Sequence, residues 1–259
     1  MKIVVRHQEN VNKLSTIFKN LKIFTDNLVI YLDEIKGLYI QGMDRSHCCI
    51  CEIRIIPQWF DVFEYNKNID MPTLGLHTII LQKIMNTYTE GQTIELSTNG
   101  ETDKLSIVFS ETEKVLNKYF EIPLINIEID ILAITDENKQ VDLTLDTKVF
   151  VNLVNQMQIF DDILILKFTE NTIDISSEGD EGEMKVSVSL DDVVEYEIEE
   201  QLELQQRYSI PFIQMMCAFN KLSTEFVMRF DSDRPMDGKY ILGENSYICF
   251  FVAPKMDDD

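Results

Sequence analysis

The side chains best suited to chemistry crowd one stretch, His47-Cys48-Cys49-Ile50-Cys51. Thiols and an imidazole hold a soft divalent metal when they converge. On a strand they do not converge, because Cys49 and Cys51 face one side and Cys48 the other. No second ligand pair occurs elsewhere, so these read as cysteines packed in a core. With Cys217 and Cys249 they make an odd set of five without framework spacing, which indicates reduced thiols. Asp231, Asp233 and Asp237 could approach a cation, yet Pro235 interrupts them and no glycine stands at an EF-hand position. The chain has no HExxH, P-loop or G-x-S-x-G sequence and only three histidines. No catalytic residue, metal or cofactor is assigned, and a metal-dependent nuclease stays a distant alternative.

The remaining chemistry is contact with phosphate. The chain carries 45 acidic and 23 basic residues, a formal net charge of -22. Four runs hold no Asp or Glu at all: Asn10–Thr25, Met71–Thr89, Thr147–Phe160 and Leu204–Thr224. They contain Lys13, Lys19, Lys22, Lys83, Lys148, Arg207 and Lys221. An acidic protein that sheds carboxylates from these runs alone keeps one surface fit to face a polyanion. The surface suits loose contact independent of base sequence, since no zinc-finger spacing, arginine-rich helix or stacking pair is present.

Each run reads as a helix. Helical spacing over Asn10–Lys22 puts Val11, Leu14, Ile17, Phe18 and Leu21 on one face, and Asn12, Lys13, Thr16, Lys19 and Asn20 on the other. Thr147–Phe160 offers Lys148, Asn152, Asn155 and Gln156 to solvent. A helix over Leu74–Tyr88 offers Gly75, Ile79, Gln82, Lys83 and Asn86. One over Pro211–Leu222 offers Gln214 and Lys221, with Cys217 and Ala218 beside them.

Between the helices lie strands rich in Ile, Val, Phe and Tyr, with turns such as Asn99-Gly100. The acidic run Asp191–Glu200 reads as a solvated outer loop. Corresponding acid-free runs start 137 and 133 residues apart, so the chain reads as two copies of one α+β unit. Expected boundaries are 1–121 for the first, 122–139 for a connector and 140–259 for the second. No apolar window spans a bilayer and the N-terminus lacks a signal core, so a soluble, intracellular protein without a membrane partner is expected.

Two motifs then carry a resemblance. Met43-Asp44-Arg45-Ser46-His47 follows a strand ending Gly-Leu-Tyr-Ile-Gln-Gly, and the C-terminus reads FFVAPKMDDD. Both resemble the proliferating cell nuclear antigen family of sliding clamps, whose members carry a Met-Asp-x-Ser-His loop and end in Leu-Ala-Pro-Lys plus acids. The resemblance implies a homotrimer closed into a ring, with helices on the inner face and antiparallel sheets outside. Such rings encircle double-stranded DNA and tether DNA polymerase and repair proteins through short interacting peptides. A clamp loader is an implied partner. A heterotrimeric or monomeric clamp-fold factor is the alternative. The expected compartment is a nucleus or an intracellular viral replication site.

On that resemblance, DNA contact falls to the seven basic residues above, with His77 as a helper. The partner peptide is expected at Met43, His47, Ile50, Leu132, Ile134, Pro235, Phe251, Ala253 and Pro254, rimmed by Glu128, Asp130 and Asp257–Asp259. Ala133 and Thr135 stand where the family has Gly and often Pro. Subunit contact is expected between the edge at Lys114–Ile122, with Lys114, Lys118 and Tyr119, and the edge at Met184–Leu190, with Met184, Val186 and Val188. Glu178, Asp180, Glu181 and Glu183 precede the second edge and would oppose the lysines of the first.

Overall fold

In each half of the chain, apolar alternation builds a strand that runs directly into an amphipathic helix. The computed structural model describes residues 1–64, 73–98, 103–111, 116–128, 130–134 and 139–255. The first half contains β1 (Lys2–Val5), α1 (Gln8–Asn20), a 3-10 turn (Leu21–Ile23), β2 (Asn27–Asp33), β3 (Gly37–Met43), β4 (Cys49–Ile55), β5 (Val62–Glu64), β6 (Thr73–His77), α2 (Thr78–Met85), β7 (Thr93–Ser97), β8 (Lys104–Ser110) and β9 (Lys118–Pro123). The second contains β10 (Val141–Asp146), α3 (Thr147–Met157), β11 (Ile163–Phe168), β12 (Ile173–Gly179), β13 (Gly182–Val188), β14 (Glu195–Ile198), β15 (Leu204–Ser209), α4 (Ile210–Cys217), β16 (Glu225–Phe230), β17 (Met236–Gly243) and β18 (Ser246–Val252).

The order of strands and helices is the same in both halves, and so is the pairing. β1 lies between β5 and β7 as β10 lies between β14 and β16. β2 lies between β3 and β6 as β11 lies between β12 and β15. All these pairs are antiparallel, so the expected two-copy α+β architecture is the observed one.

Two compact units result. One comprises Met1–Asp44, Glu52–Leu132 and Leu242–Ile248; the other comprises Arg45–Cys51, Ala133–Ile241 and Cys249–Asp259. In the first unit α1 packs on α2, β1 and β7, burying Val11, Leu14, Ile17 and Phe18. In the second, α3 and α4 bury Phe150, Val154, Met157, Ile213 and Met216. Each such side chain contributes about 1.5–3 kcal/mol on leaving water. Cys49 and Cys51 are buried and Cys48 half-buried, the alternation a strand imposes.

Three expectations from charge patterning are corrected. Helix α1 starts before its acid-free run and takes in Glu9. Strands β6 and β15 occupy Thr73–His77 and Leu204–Ser209 within two of these runs, so their helices shorten to Thr78–Met85 and Ile210–Cys217. Absence of acids does not distinguish the two periods. Gly75 consequently lies buried in β6 and not on a helix face; a Cβ there would stand 2.0 Å from the Ile125 carbonyl oxygen. Cys217 is buried as well. The Asp191–Glu200 run is no open loop, because β14 pairs with β10 and the Tyr196 hydroxyl donates to the Thr169 carbonyl at 2.7 Å. The Asn99-Gly100 turn lies outside the described residues.

Candidate nucleic-acid interface and peptide cleft

The helix faces follow from where apolar residues were needed inside. Exposed positions are Glu9, Asn12 and Lys19 on α1, with Lys22 on the turn after it. They are Ile80 and Lys83 on α2, and Lys148, Val149, Asn152 and Asn155 on α3. On α4 only Pro211 is exposed, with Asn220 and Lys221 following it. Glu9 is the one carboxylate among these. It pairs with Lys13 at 2.7 Å across one helical turn, and the Lys13 hydrogen bond and charge hold its carboxyl below the usual value. Asp146, just ahead of α3, accepts from the Lys148 and Val149 N–H groups at 2.9 and 3.0 Å and so serves as the helix cap.

The expected cations divide accordingly. Lys19, Lys22, Lys83, Lys148 and Lys221 are exposed. The Lys13 side chain is 14% exposed and bound to Glu9, with a longer contact to the Leu242 carbonyl at 3.4 Å. Arg207 is half-buried on strand β15, not on a helix, and its carbonyl accepts from the Lys255 N–H at 2.7 Å. His77 precedes the first residue of α2 without capping it, its ring bonded instead to the Asn27 side chain at 2.6 Å. Asp237 is buried and ion-paired with Arg229 at 2.7 Å and Lys139 at 3.4 Å.

In the first unit a cleft of about 280 Å³ opens between β3 and the connector. Its apolar walls are Met43, Ile127 and Leu132, and its polar rim is Thr25, Asn27, Gln41 and Asp130. Met43 and Leu132, both expected at a peptide site, therefore meet here, and Leu132 is 44% exposed. The connector is tied down at both ends of this cleft. The Ile125 N–H donates to the Gly75 carbonyl at 3.0 Å. Further on, the Leu132 N–H donates to Gln41 Oε1 at 2.8 Å while Gln41 Nε2 donates to the Leu132 carbonyl at 3.0 Å.

Gln41, Ile127, Thr25 and Asn27 were not anticipated from sequence. For Gln41 a signal existed, since it shares strand parity with Tyr39 and Met43.

The other expected peptide residues belong to the second unit. His47 is exposed in a turn with φ +60°, a left-handed conformation. Ile50, Ile134, Phe251 and Pro254 are half-buried, and Pro235 and Ala253 are exposed. The Ala253 N–H donates to the Cys48 carbonyl at 3.0 Å, which fixes the C-terminal segment beside that strand. The Lys139 ammonium donates to the Pro235 carbonyl at 3.1 Å. Thr135 and Asp257–Asp259 lie outside the described residues.

The two expected joining edges are terminal strands of their sheets, β9 beside β8 and β13 beside β12. Tyr119 on β9 is 71% exposed. On β13, Glu183 is exposed and Met184, Val186 and Val188 are half-buried. Lys118 does not project from its edge. Its ammonium turns back to the Thr87 carbonyl, to Thr89 Oγ1 at 3.0 Å and to Gln92 Oε1 at 3.4 Å. Lys114 lies outside the described residues.

A repeated α+β unit whose helices expose a single, lysine-paired carboxylate, and whose sheets end in open strands, describes a DNA clamp. The model of the N-terminal domain of proliferating cell nuclear antigen matches residues 7–132, and that of the C-terminal domain matches residues 133–255. Proliferating cell nuclear antigen 1 of Plasmodium falciparum is 24% identical over 96% of each chain. Proliferating cell nuclear antigen of Chaetomium thermophilum is 22% identical, covering 86% of this chain and 87% of that one. Proliferating cell nuclear antigen 2 of Drosophila melanogaster is 21% identical over 86% of each. The chain belongs to the proliferating cell nuclear antigen family. It is a DNA sliding clamp, a processivity factor of a family of non-enzymatic scaffolds.

Proposed function

We propose that this chain closes as a homotrimer around duplex DNA, is placed there by a clamp loader, and tethers polymerase and repair proteins through peptides seated beside the connector. The observation that carries the reading is the charge on the helices. In a protein of net charge -22, their exposed positions hold one carboxylate, already neutralised by Lys13. Lys19, Lys22, Lys83, Lys148 and Lys221 are then the cations available to phosphates. So few contacts per subunit hold DNA weakly and without register, which favours sliding over fixed binding. The place of action is a nucleus or an intracellular viral replication site.

Retention on closed circular DNA tests the ring. Co-sedimentation that disappears when the circle is linearised supports it, and equal retention on both forms defeats it. The peptide site is tested with a synthetic polymerase-derived peptide carrying aromatic anchors. Leu132→Ala with Ile134→Ala should abolish its capture while the oligomer persists. A heterotrimer is the second reading, favoured by the inward turn of Lys118, which removes one charge from a joint between identical chains. Equilibrium sedimentation of the pure chain separates them, since a purely monomeric species at micromolar concentration would point to a missing partner subunit.

A further inference from the structure

A continuous chain of hydrogen bonds runs from the buried carboxylate of Glu52 to the backbone of the connector. Glu52 is 4% exposed and receives three donors: the Tyr39 hydroxyl at 3.0 Å on Oε2, and the Tyr247 hydroxyl at 2.9 Å and Arg54 Nε at 3.1 Å on Oε1. Gln41 Nε2 donates to the Tyr39 oxygen at 3.1 Å and to the Leu132 carbonyl at 3.0 Å, and Gln41 Oε1 accepts from the Leu132 N–H. Gln41 is itself buried, 6% exposed.

The direction of each bond is forced by the one before it. A carboxylate only accepts, so the Tyr39 proton must point to Glu52. The Tyr39 oxygen is then left as an acceptor, and among its neighbours Gln41 supplies the donor. Burial and the Glu52 charge raise the Tyr39 hydroxyl well above its ordinary pKa, so the proton stays in place. A glutamine whose nitrogen is held this way must turn its oxygen to the Leu132 N–H. Both of its amide protons and its carbonyl are then engaged. A flipped amide would set a donor against the Leu132 N–H and an acceptor against its carbonyl, losing both bonds to Leu132.

We propose that Gln41 is a positioning residue that clamps the connector at Leu132, and that Glu52, acting through Tyr39, fixes the one amide orientation in which the clamp closes. The peptide consequence rests on the cleft being the partner site, as proposed above. The clamp holds the Leu132 wall in place before a peptide arrives, so binding does not have to order it.

Amide exchange in the full-length chain tests the clamp without any ligand. In Gln41→Ala the Leu132 amide should exchange at least about tenfold faster, while the Ile40 and Leu38 amides of β3 keep their protection. Tyr39→Phe removes only the orienting oxygen and should accelerate Leu132 by a smaller factor, about two- to fivefold. Glu52→Gln, which can donate as well as accept, should act in the same direction. If Gln41→Ala loses β3 protection too, Tyr39→Phe becomes the deciding variant. Unchanged Leu132 exchange in a variant with β3 intact overturns the proposal. The same variants are titrated with the polymerase-derived peptide, where Gln41→Ala should weaken binding several-fold although its side chain is buried. Faster Leu132 exchange with unaltered peptide affinity overturns the positioning role. Failure of the wild-type chain to bind any such peptide instead defeats the partner-site reading and leaves the clamp to stand on exchange.

Discussion

The two repeats share one element order and one pairing pattern, yet they fill their interiors with different material. The first is mainly aliphatic, with Leu14, Ile17, Leu28, Ile30, Leu96 and Ile107 buried beside fewer rings, Phe18, Phe24, Trp59, Phe60 and Phe109. The second adds a larger cluster of buried rings. Phe226 stacks on Phe150 at 4.8 Å and lies 4.5 Å from Tyr240; Phe219 meets Phe250 at 5.3 Å, and Phe168 meets Phe230 at 4.6 Å. Their helix faces differ too. Lys19, Lys22 and Lys83 serve the first repeat, against Lys148 and Lys221 in the second. Topology is thus preserved by the alternation of apolar and polar positions, which many residue sets satisfy. Core chemistry and surface charge are free to diverge beneath it.

The sharpest way to break this comparison is inside the ring cluster. Phe226→Ala should cost about 3–5 kcal/mol, because the hole left among Phe150, Tyr240 and Gly238 cannot collapse. Leu14→Ala in the first unit should cost about 2–5 kcal/mol. Denaturant unfolding followed by tyrosine and tryptophan fluorescence measures both, and Trp59 reports only on the first unit. A common midpoint shift in both probes would mean that the repeats unfold as one.

Next in size is the charge difference. Reversing Lys19, Lys22 and Lys83 to Glu should weaken clamp-dependent DNA retention by at least about tenfold and flatten its salt dependence. Reversing Lys148 and Lys221 should do less. Equal losses would mean that the helices of both repeats contribute alike.

Thiol reactivity gives a smaller contrast. Burial pushes the Cys217 thiol up to about 12, so an aromatic disulfide reagent at pH 8 should leave it untouched in the native chain while half-buried Cys48 reacts first. All five should react in denaturant.

Smallest is the surface pair of α1. The Glu9 carboxyl is lowered in the folded chain, so its stabilisation is present above its ordinary value of 4.5 and fades as pH falls through the lower folded value. Glu9→Gln should remove that dependence at a cost within about half a kcal/mol at pH 7, read from denaturant midpoints.

Much of the architecture was legible because apolar alternation is a strong local signal; β2, β3, β4, β7 and β8 cover, to within one residue, the apolar or alternating runs Leu28–Leu32, Leu38–Gln41, Cys48–Ile55, Thr93–Ser97 and Leu105–Phe109. Strands β6 and β15 were hidden because a charge criterion cannot tell a period of two from one of 3.6. Strand β14 was hidden by its acids: Glu195 and Glu197 alternate with Tyr196 and Ile198, and the inward pair decides the matter. At the site, Met43 and Leu132 were reachable through family motifs. The inward turn of Lys118 was not, since Thr87, Thr89 and Gln92 come from a distant loop. Glu52, Tyr39 and Gln41 form a network only once β3 and β4 are folded, and each alone reads as a strand residue.

The grip of Gln41 falls on the main chain of residue 132 and leaves its side chain outside. Any residue except proline presents the same N–H and C=O there. The cleft wall can therefore change its chemistry by mutation, aliphatic to aromatic or polar, while the connector keeps its path. If the cleft seats partner peptides as proposed, a lineage carrying this network can shift its preference one substitution at a time, without passing through a clamp whose connector has come loose.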